Sequence, residues 1–172
     1  MIPAPAFLSN PERFMAFSRW AAPMFGAIAL ILALAGLWLG FTAPEDYQQG
    51  DTVRIMFIHV PAAWMSMFVY VCLAGASFLS LVFRHALADA AAKAAAPLGA
   101  AFTFLALVTG SLWGRPMWGA WWVWDARMTS VLVLLLFYLA YTAAFGSLWL
   151  VGIRAQVWRR RAEAAALRAA RG

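Results

Sequence analysis

The chain contains 172 residues, of which 65% are hydrophobic and only 12% are charged. A soluble domain usually carries about 45–50% apolar and about 25% charged residues, so too few polar side chains remain here to cover a water-facing surface. This composition excludes a soluble enzyme and a disordered regulator, and the single cysteine, Cys72, excludes a disulfide scaffold. The chain is therefore predicted to be an integral membrane protein.

The net charge of +6 fits either nucleic-acid binding or basic loops next to a membrane. No nucleic-acid-binding motif accompanies it, and in so apolar a chain an excess of Lys and Arg is typical of cytoplasmic loops. We therefore expect contact with the lipid bilayer and no nucleic-acid partner.

Four apolar stretches are long enough to cross a bilayer, which requires about 20 predominantly apolar residues. They cover residues 21–41, 61–83, 97–113 and 131–151. The sequence thus predicts an all-α integral membrane protein with four transmembrane helices in a single membrane domain, residues 1–172. The first stretch is longer than the about 7–15 apolar residues of a signal peptide, so we expect an uncleaved anchor.

Pro61 opens the second apolar stretch, and proline is favoured in the first turn of a helix, where its missing N–H is not needed. The residue before a proline is pushed toward extended geometry. His59 is therefore predicted to lie at a helix entrance, with a kinked continuation of the helix back to Ile55 as the alternative.

The basic residues are divided unequally between the two sides of the predicted bundle. Ten of the 13 Lys and Arg residues fall on one side, six of them after the fourth stretch. Since cytoplasmic loops are enriched in Lys and Arg, both termini are predicted to be cytoplasmic. The connections at residues 42–60 and 114–130 then lie outside. We interpret the basic tail, residues 152–172, as a stop-transfer signal, with binding of anionic lipid or a cytoplasmic partner as the alternative.

Half of the ten tryptophans lie within twelve residues, near the connection between the third and fourth stretches. They are Trp113, Trp118, Trp121, Trp122 and Trp124. An aromatic belt at the membrane interface accounts for two or three tryptophans, but not for five interleaved with glycine, proline, aspartate and arginine. A flat apolar ligand with charged edges fits this composition, and haem is such a ligand. On residue chemistry alone both interpretations stay open.

If haem is the ligand, each polar residue of this region has an expected role. The tryptophan rings contact the porphyrin plane, and Arg115 and Arg127 pair with its carboxylates. Asp125 orients the aromatic platform or a partner.

The backbone conformation decides which side chains share a face. If the chain after Pro116 is helical, a step of about 100° per residue places five side chains together. These are Trp118, Trp121, Trp122, Asp125 and Thr129. In an extended strip, Trp122 and Trp124 share a face instead.

His59 is the one histidine predicted on the same side as these tryptophans. Neutral imidazole is a common ligand of haem iron, and a polar residue satisfied by backbone or water is the alternative role. His85 lies 26 residues further along the chain, which is about 39 Å on a straight helix. It is therefore expected at the opposite face of the membrane, solvated, and not on the same iron.

The segment WGRPMWGAWWVWDARMTS, residues 113–130, resembles the tryptophan-rich WWD signature of haem-handling proteins. We refer to it below as the tryptophan-rich segment. FTAPEDYQQGDTVRIMFIHVPAAWMSM, residues 41–67, and the run of residues 97–130 narrow the resemblance to the CcmC family of cytochrome c maturation. The resemblance extends over residues 13–141.

The resemblance implies a bacterial inner-membrane protein that binds haem b non-covalently on the periplasmic side and presents it to the haem chaperone CcmE. It also implies association with CcmA, CcmB and the small CcmD. His59 matches the first external axial histidine of the family, and residues 118–125 match its haem platform. Such a protein makes and breaks no bond in a substrate, so no enzymatic activity is expected.

The sequence departs from the family pattern in its number of spans. Family members have six spans and a second external histidine after the fifth, whereas this sequence provides four. We therefore expect a shortened chain or a site that another chain completes. A structural docking subunit that binds no haem is the main alternative function. A membrane oxidoreductase is a further one, for which we find no residues of a quinone or second cofactor site.

Overall fold

Four long helices make up the fold in a computed structural model, which describes residues 10–169. They are α1 (Pro11–Phe41), α2 (Val53–Phe83), α3 (Ala86–Trp118) and α4 (Ala126–Ala169). Each contains a segment that is long and apolar enough to cross a membrane. This confirms the predicted all-α membrane protein of four spans. The ends of the predicted domain, residues 1–9 and 170–172, lie outside the described residues.

His59 lies inside α2, so the predicted helix entrance at Pro61 is wrong. α2 begins at Val53 and continues through Pro61, which places the helix start even before Ile55. A proline inside a helix removes one backbone donor, but membrane helices tolerate this loss where neighbouring groups satisfy the carbonyl. The reason is that proline is tolerated inside this membrane helix as well as in a first turn, so its position does not mark the helix start.

The third helix also extends beyond its predicted span of residues 97–113, at both ends. Its first turns are rich in alanine, the residue with the highest helix propensity. His85 caps the start of α3, where its Nδ1 accepts a hydrogen bond from the Ala88 N–H at 3.3 Å. Hydropathy finds only the part of a helix that is apolar enough for lipid, and therefore misses these ends.

α3 is the central helix of the bundle and packs against both α2 and α4, whereas α1 makes only a few contacts, with α2. Its buried face carries small side chains, which let neighbouring helices approach closely. Tyr138 of α4 fills the space they leave, next to Gly99 of α3. Its hydroxyl donates a hydrogen bond to the Ser66 carbonyl of α2 at 2.8 Å, which joins three helices in one core.

The connections α1–α2 and α3–α4 lie at the same end of the bundle. The indole Nε1 of Trp113 donates to Oε1 of Gln49 at 2.9 Å. Beside it, Oγ1 of Thr52 lies 3.9 Å from the sulfur of Met117. α2 and α3 are joined by only two residues, so α2 starts and α3 ends at this same end. The fold thereby brings His59 and the tryptophan-rich segment to one end of the molecule.

Candidate functional site

The imidazole of His59 is fixed by contacts with α3. Its Nδ1 lies 3.0 Å from the carbonyl oxygen of Ala106 and 3.1 Å from Oγ1 of Thr109. The Thr109 hydroxyl donates its own proton to the Leu105 carbonyl at 2.7 Å. Both neighbours of Nδ1 therefore accept hydrogen bonds, so Nδ1 carries the proton and donates.

This arrangement sets the tautomer of His59. With the proton on Nδ1, the other ring nitrogen, Nε2, keeps a lone pair, and a metal-ligating histidine is typically oriented in this way by a bond from its second nitrogen. Ala106 and Thr109 thus hold the His59 ring in place with Nε2 unprotonated.

Gly110 provides the space in which the imidazole lies. A Cβ atom built on Gly110 would lie 3.0 Å from Cε1 of His59, closer than side chains usually approach, and 3.5 Å from Nδ1, which is ordinary van der Waals contact. Gly110 also lines a cavity at the end of α3. The same glycine therefore contacts the histidine and borders the cavity, although His59 itself is not part of the cavity wall.

The cavity has a volume of about 200 Å³ and is lined by the end of α3, the α3–α4 connection and the start of α4. Four of the predicted site residues line it: Trp118, Trp121, Asp125 and Arg127. Pockets for whole ligands usually measure about 300–1,000 Å³. The cavity therefore fits part of a large flat molecule, and the rest of such a molecule would lie against the outer surface.

The tryptophan-rich segment is helical at residues 113–118 and 126–130 but not between them. Of the two conformations that the sequence leaves open, the one that groups five side chains on a helical face is therefore wrong. α3 ends at Trp118, and Gly119 follows in the left-handed conformation, with φ of 76°. The next helix begins only at Ala126. The helical prediction treated Gly119 as a residue of the helix interior, whereas glycine readily adopts the conformation that ends a helix.

The tryptophan rings form two pairs. Trp113 and Trp118 meet edge to face, with ring centroids 4.9 Å apart and an interplanar angle of 89°. Trp122 and Trp124 meet at 5.3 Å and 71°. The guanidinium of Arg127 lies 5.3 Å from the centre of the Trp118 ring, at the distance of a cation–π contact.

Trp122 carries an unpaired polar atom. Its Nε1 is buried and makes no hydrogen bond with the described residues. A buried donor without an acceptor costs free energy, so such a group is a candidate to contact a bound molecule.

The two arginines of the segment are bonded locally. Arg115 donates from Nη1 to the carbonyl of Gly119, and Arg127 forms an ion pair with Asp125 at 3.2 Å. A guanidinium has five N–H donors, so these bonds leave others available for a carboxylate. Both side chains are exposed at the end of the bundle.

Asp125 caps the start of α4. Its Oδ1 accepts a hydrogen bond from the Met128 N–H at 2.7 Å, and its carbonyl accepts one from the Thr129 N–H at 3.1 Å. The bond from Met128, assisted by Arg127, holds the pKa of Asp125 below its ordinary value. Asp125 is therefore an anion that caps α4. Its expected role in orienting the aromatic platform or a partner stays a prediction.

His85 lies far from these residues in the fold. It follows the end of α2 and caps α3, whereas His59 lies near the start of α2. The expectation that the two histidines lie at opposite ends of the bundle is confirmed.

Sequence reasoning did not identify Gln49, Thr109, Gly110 and Met128. Gln49 and Thr109 are the hydrogen-bond partners of a site tryptophan and of the site histidine, while Gly110 and Met128 line the cavity. Their positions depend on how the helices and the α1–α2 connection pack together, which no local pattern in the sequence reveals.

Comparison with known proteins gives one consistent match. The family model described as CcmC: Heme exporter protein C matches residues 5–149. Heme exporter protein C of Bradyrhizobium diazoefficiens is 62% identical over 136 residues, which are 79% of this chain and 52% of that protein. Heme exporter protein C of Paracoccus denitrificans is 50% identical, over 78% of this chain and 56% of that protein. The protein of the same name in Escherichia coli K12 is 49% identical, over 79% of this chain and 56% of that protein. The chain spans about half the length of the curated relatives it matches.

Proposed function

The chain belongs to the CcmC family of heme exporter proteins, and from this premise we propose that it binds haem and presents it to a haem chaperone during c-type cytochrome maturation. The observation that carries the proposal is the hydrogen bonding of His59. Its Nδ1 is engaged by Ala106 and Thr109, which leaves Nε2 to coordinate iron. In this proposal haem is the molecule that the protein passes on, not a cofactor that it retains.

The aromatic residues supply the apolar contact area for the macrocycle. The cavity beside Trp118 and Trp121 is too small for a whole porphyrin, so one edge enters it and the remainder lies along Trp122 and Trp124. Trp113 supports Trp118 from behind, through the edge-to-face contact. The haem is b-type and held non-covalently, and Arg115 and Arg127 pair with its carboxylates.

The exposure of the aromatic surface favours presentation over storage. Trp118 is 52% exposed, Trp121 57% and Trp124 75%. A ligand covered on one side only keeps its other side accessible to an acceptor protein. We therefore propose that haem binds in a form that a chaperone can collect.

Family membership and the distribution of charge support a proposal for location and partners. The described residues form four helices able to cross a membrane, and ten of the 13 basic residues of the full sequence fall on one side of the predicted bundle. On the positive-inside rule we propose that both termini are cytoplasmic and that the haem site faces the periplasm of the bacterial inner membrane. The proposed partners are the chaperone CcmE and the proteins CcmA, CcmB and CcmD, and no enzymatic activity is proposed.

The absorption spectrum of the purified protein tests the proposal. The protein is expressed with ample haem and purified in detergent as the wild type, His59→Ala and His85→Ala. We expect a Soret band in the wild type and in His85→Ala, and its loss or displacement in His59→Ala. A wild type without a Soret band contradicts haem handling by this chain and favours the docking subunit that binds no haem.

A further inference from the structure

The connection between α1 and α2 is a folded loop with its own hydrogen bonds. Oδ1 of Asp46 accepts from the N–H groups of Gln48 and Gln49, both at 2.9 Å. Asp46 and Gly50 form a backbone bridge, closed by the left-handed conformation of Gly50 at φ of 55°. Thr52 then donates from Oγ1 to the Gln49 carbonyl at 2.6 Å. These contacts fix the backbone of Gln49 in place.

The side chain of Gln49 reaches across the end of the bundle to α3. Its Oε1 accepts the only hydrogen bond that the indole of Trp113 can donate, at 2.9 Å, between residues 64 positions apart in sequence. Both residues are partly buried. An indole N–H in such a place needs an acceptor, so this contact determines how the Trp113 ring is oriented.

The orientation of Trp113 is passed on to the wall of the cavity. The Trp113 ring meets the Trp118 ring nearly at right angles. Trp118 lines the cavity and contacts the guanidinium of Arg127 on α4. A rotation of Trp113 would therefore displace the aromatic wall against which a ligand packs.

We propose that Gln49 is a positioning residue that sets the Trp113–Trp118 pair, and through it the aromatic wall of the cavity. Gln49 contacts no cargo in this account; it acts through the indole of Trp113. The effect on cargo binding rests on the proposed function, whereas the effect on the two rings does not.

The first test measures the rings without haem. Three variants are compared: Gln49→Leu, which removes the acceptor, Gln49→Glu, which keeps one, and Gln48→Leu, the control at the neighbouring exposed position of the same loop. The indole ¹H–¹⁵N resonance of Trp113 is assigned by its absence in Trp113→Phe. We expect Gln49→Leu to move the indole resonances of Trp113 and Trp118, and the other two variants to leave them near their wild-type positions.

The second test measures haem affinity by titration in detergent. We expect Gln49→Leu to weaken binding about fivefold, the effect of one lost hydrogen bond, while Gln49→Glu and Gln48→Leu stay near the wild type. The double variant Gln49→Leu/Trp113→Phe should bind no more weakly than Trp113→Phe alone, because both changes break the same contact.

The outcomes separate this inference from the proposed function. Unmoved Trp113 and Trp118 resonances in Gln49→Leu overturn the positioning role, and so does an additive double variant. A wild type that binds no haem contradicts the proposed function alone, because the resonances still decide whether Gln49 positions the two rings.

Discussion

The sequence indicates the position of His59 but not its hydrogen-bond partners. Its chemistry and its place near the tryptophan-rich segment identified it as a candidate ligand. Its hydrogen-bond partners, Ala106 and Thr109, lie 47 and 50 positions away. They belong to an apolar helix whose rotation against α2 is set by packing, so neither the partners nor the tautomer they impose could be read from the residue pattern.

Thr109→Val tests how much the orientation of His59 depends on its neighbours. Valine has nearly the shape of threonine but offers no oxygen to Nδ1, while the Ala106 carbonyl still accepts. Since loss of an orienting partner typically weakens metal binding by about 10–100-fold, and one acceptor remains, we expect a haem affinity about tenfold below the wild type in a detergent titration.

Thr103→Val is the matched control for this substitution. Thr103 is also a buried threonine of α3, but its hydroxyl donates to the Gly99 carbonyl of the same helix at 2.6 Å. The account predicts that Thr103→Val binds haem as the wild type does. Equal affinities of the two variants would show that Thr109 does not orient the imidazole.

At the scale of whole elements, the apolar stretches were predicted correctly and their ends were not. Hydropathy locates all four helices, but α2 starts before Pro61, the position that proline marks as a helix start, and both ends of α3 lie in less apolar sequence. The tryptophan-rich segment changes conformation at two particular residues, Gly119 and Asp125, which end one helix and start the next. Both residue types are common at helix caps. The helical spacing of the tryptophans, however, favours one continuous helix through both positions.

Asp125→Ala removes the cap of α4, and Asp125→Asn keeps a capping oxygen without the charge. Because Asn and Asp are comparable N-caps and alanine is a poor one, we expect a thermal midpoint a few degrees lower for Asp125→Ala and close to the wild type for Asp125→Asn. Circular dichroism of the detergent-purified proteins measures this. Equal loss in both variants would mean that the ion pair with Arg127, rather than the cap, stabilises the start of α4.

The same cap predicts a dependence on pH. The folded state holds the pKa of Asp125 below its ordinary value of 3.8, chiefly through the Met128 N–H. Its contribution to stability is therefore complete above pH 3.8 and is lost as the pH falls through the lower pKa of the folded state. The difference in midpoint between the wild type and Asp125→Ala should accordingly narrow in acid.

At the scale of the whole molecule, composition alone determined the class of protein but not its core. A chain with 65% hydrophobic residues and four apolar stretches is a membrane protein. In lipid, however, apolarity does not say which face of a helix is buried, and packing of small residues decides it. The insertion of Tyr138 against Gly99 could therefore not be predicted, although it joins α2, α3 and α4 and so fixes the relative positions of the site residues.

The central claim is that the His59 imidazole is the iron ligand at the tryptophan-rich end of this bundle. The most direct measurement is the absorption spectrum of haem-loaded His59→Gly in detergent, recorded with and without added imidazole. Removal of the side chain leaves space next to Gly110, where the ring lay. We expect the variant to lack the wild-type Soret band and to regain it when imidazole is added. A wild-type Soret band in His59→Gly without imidazole would contradict the claim.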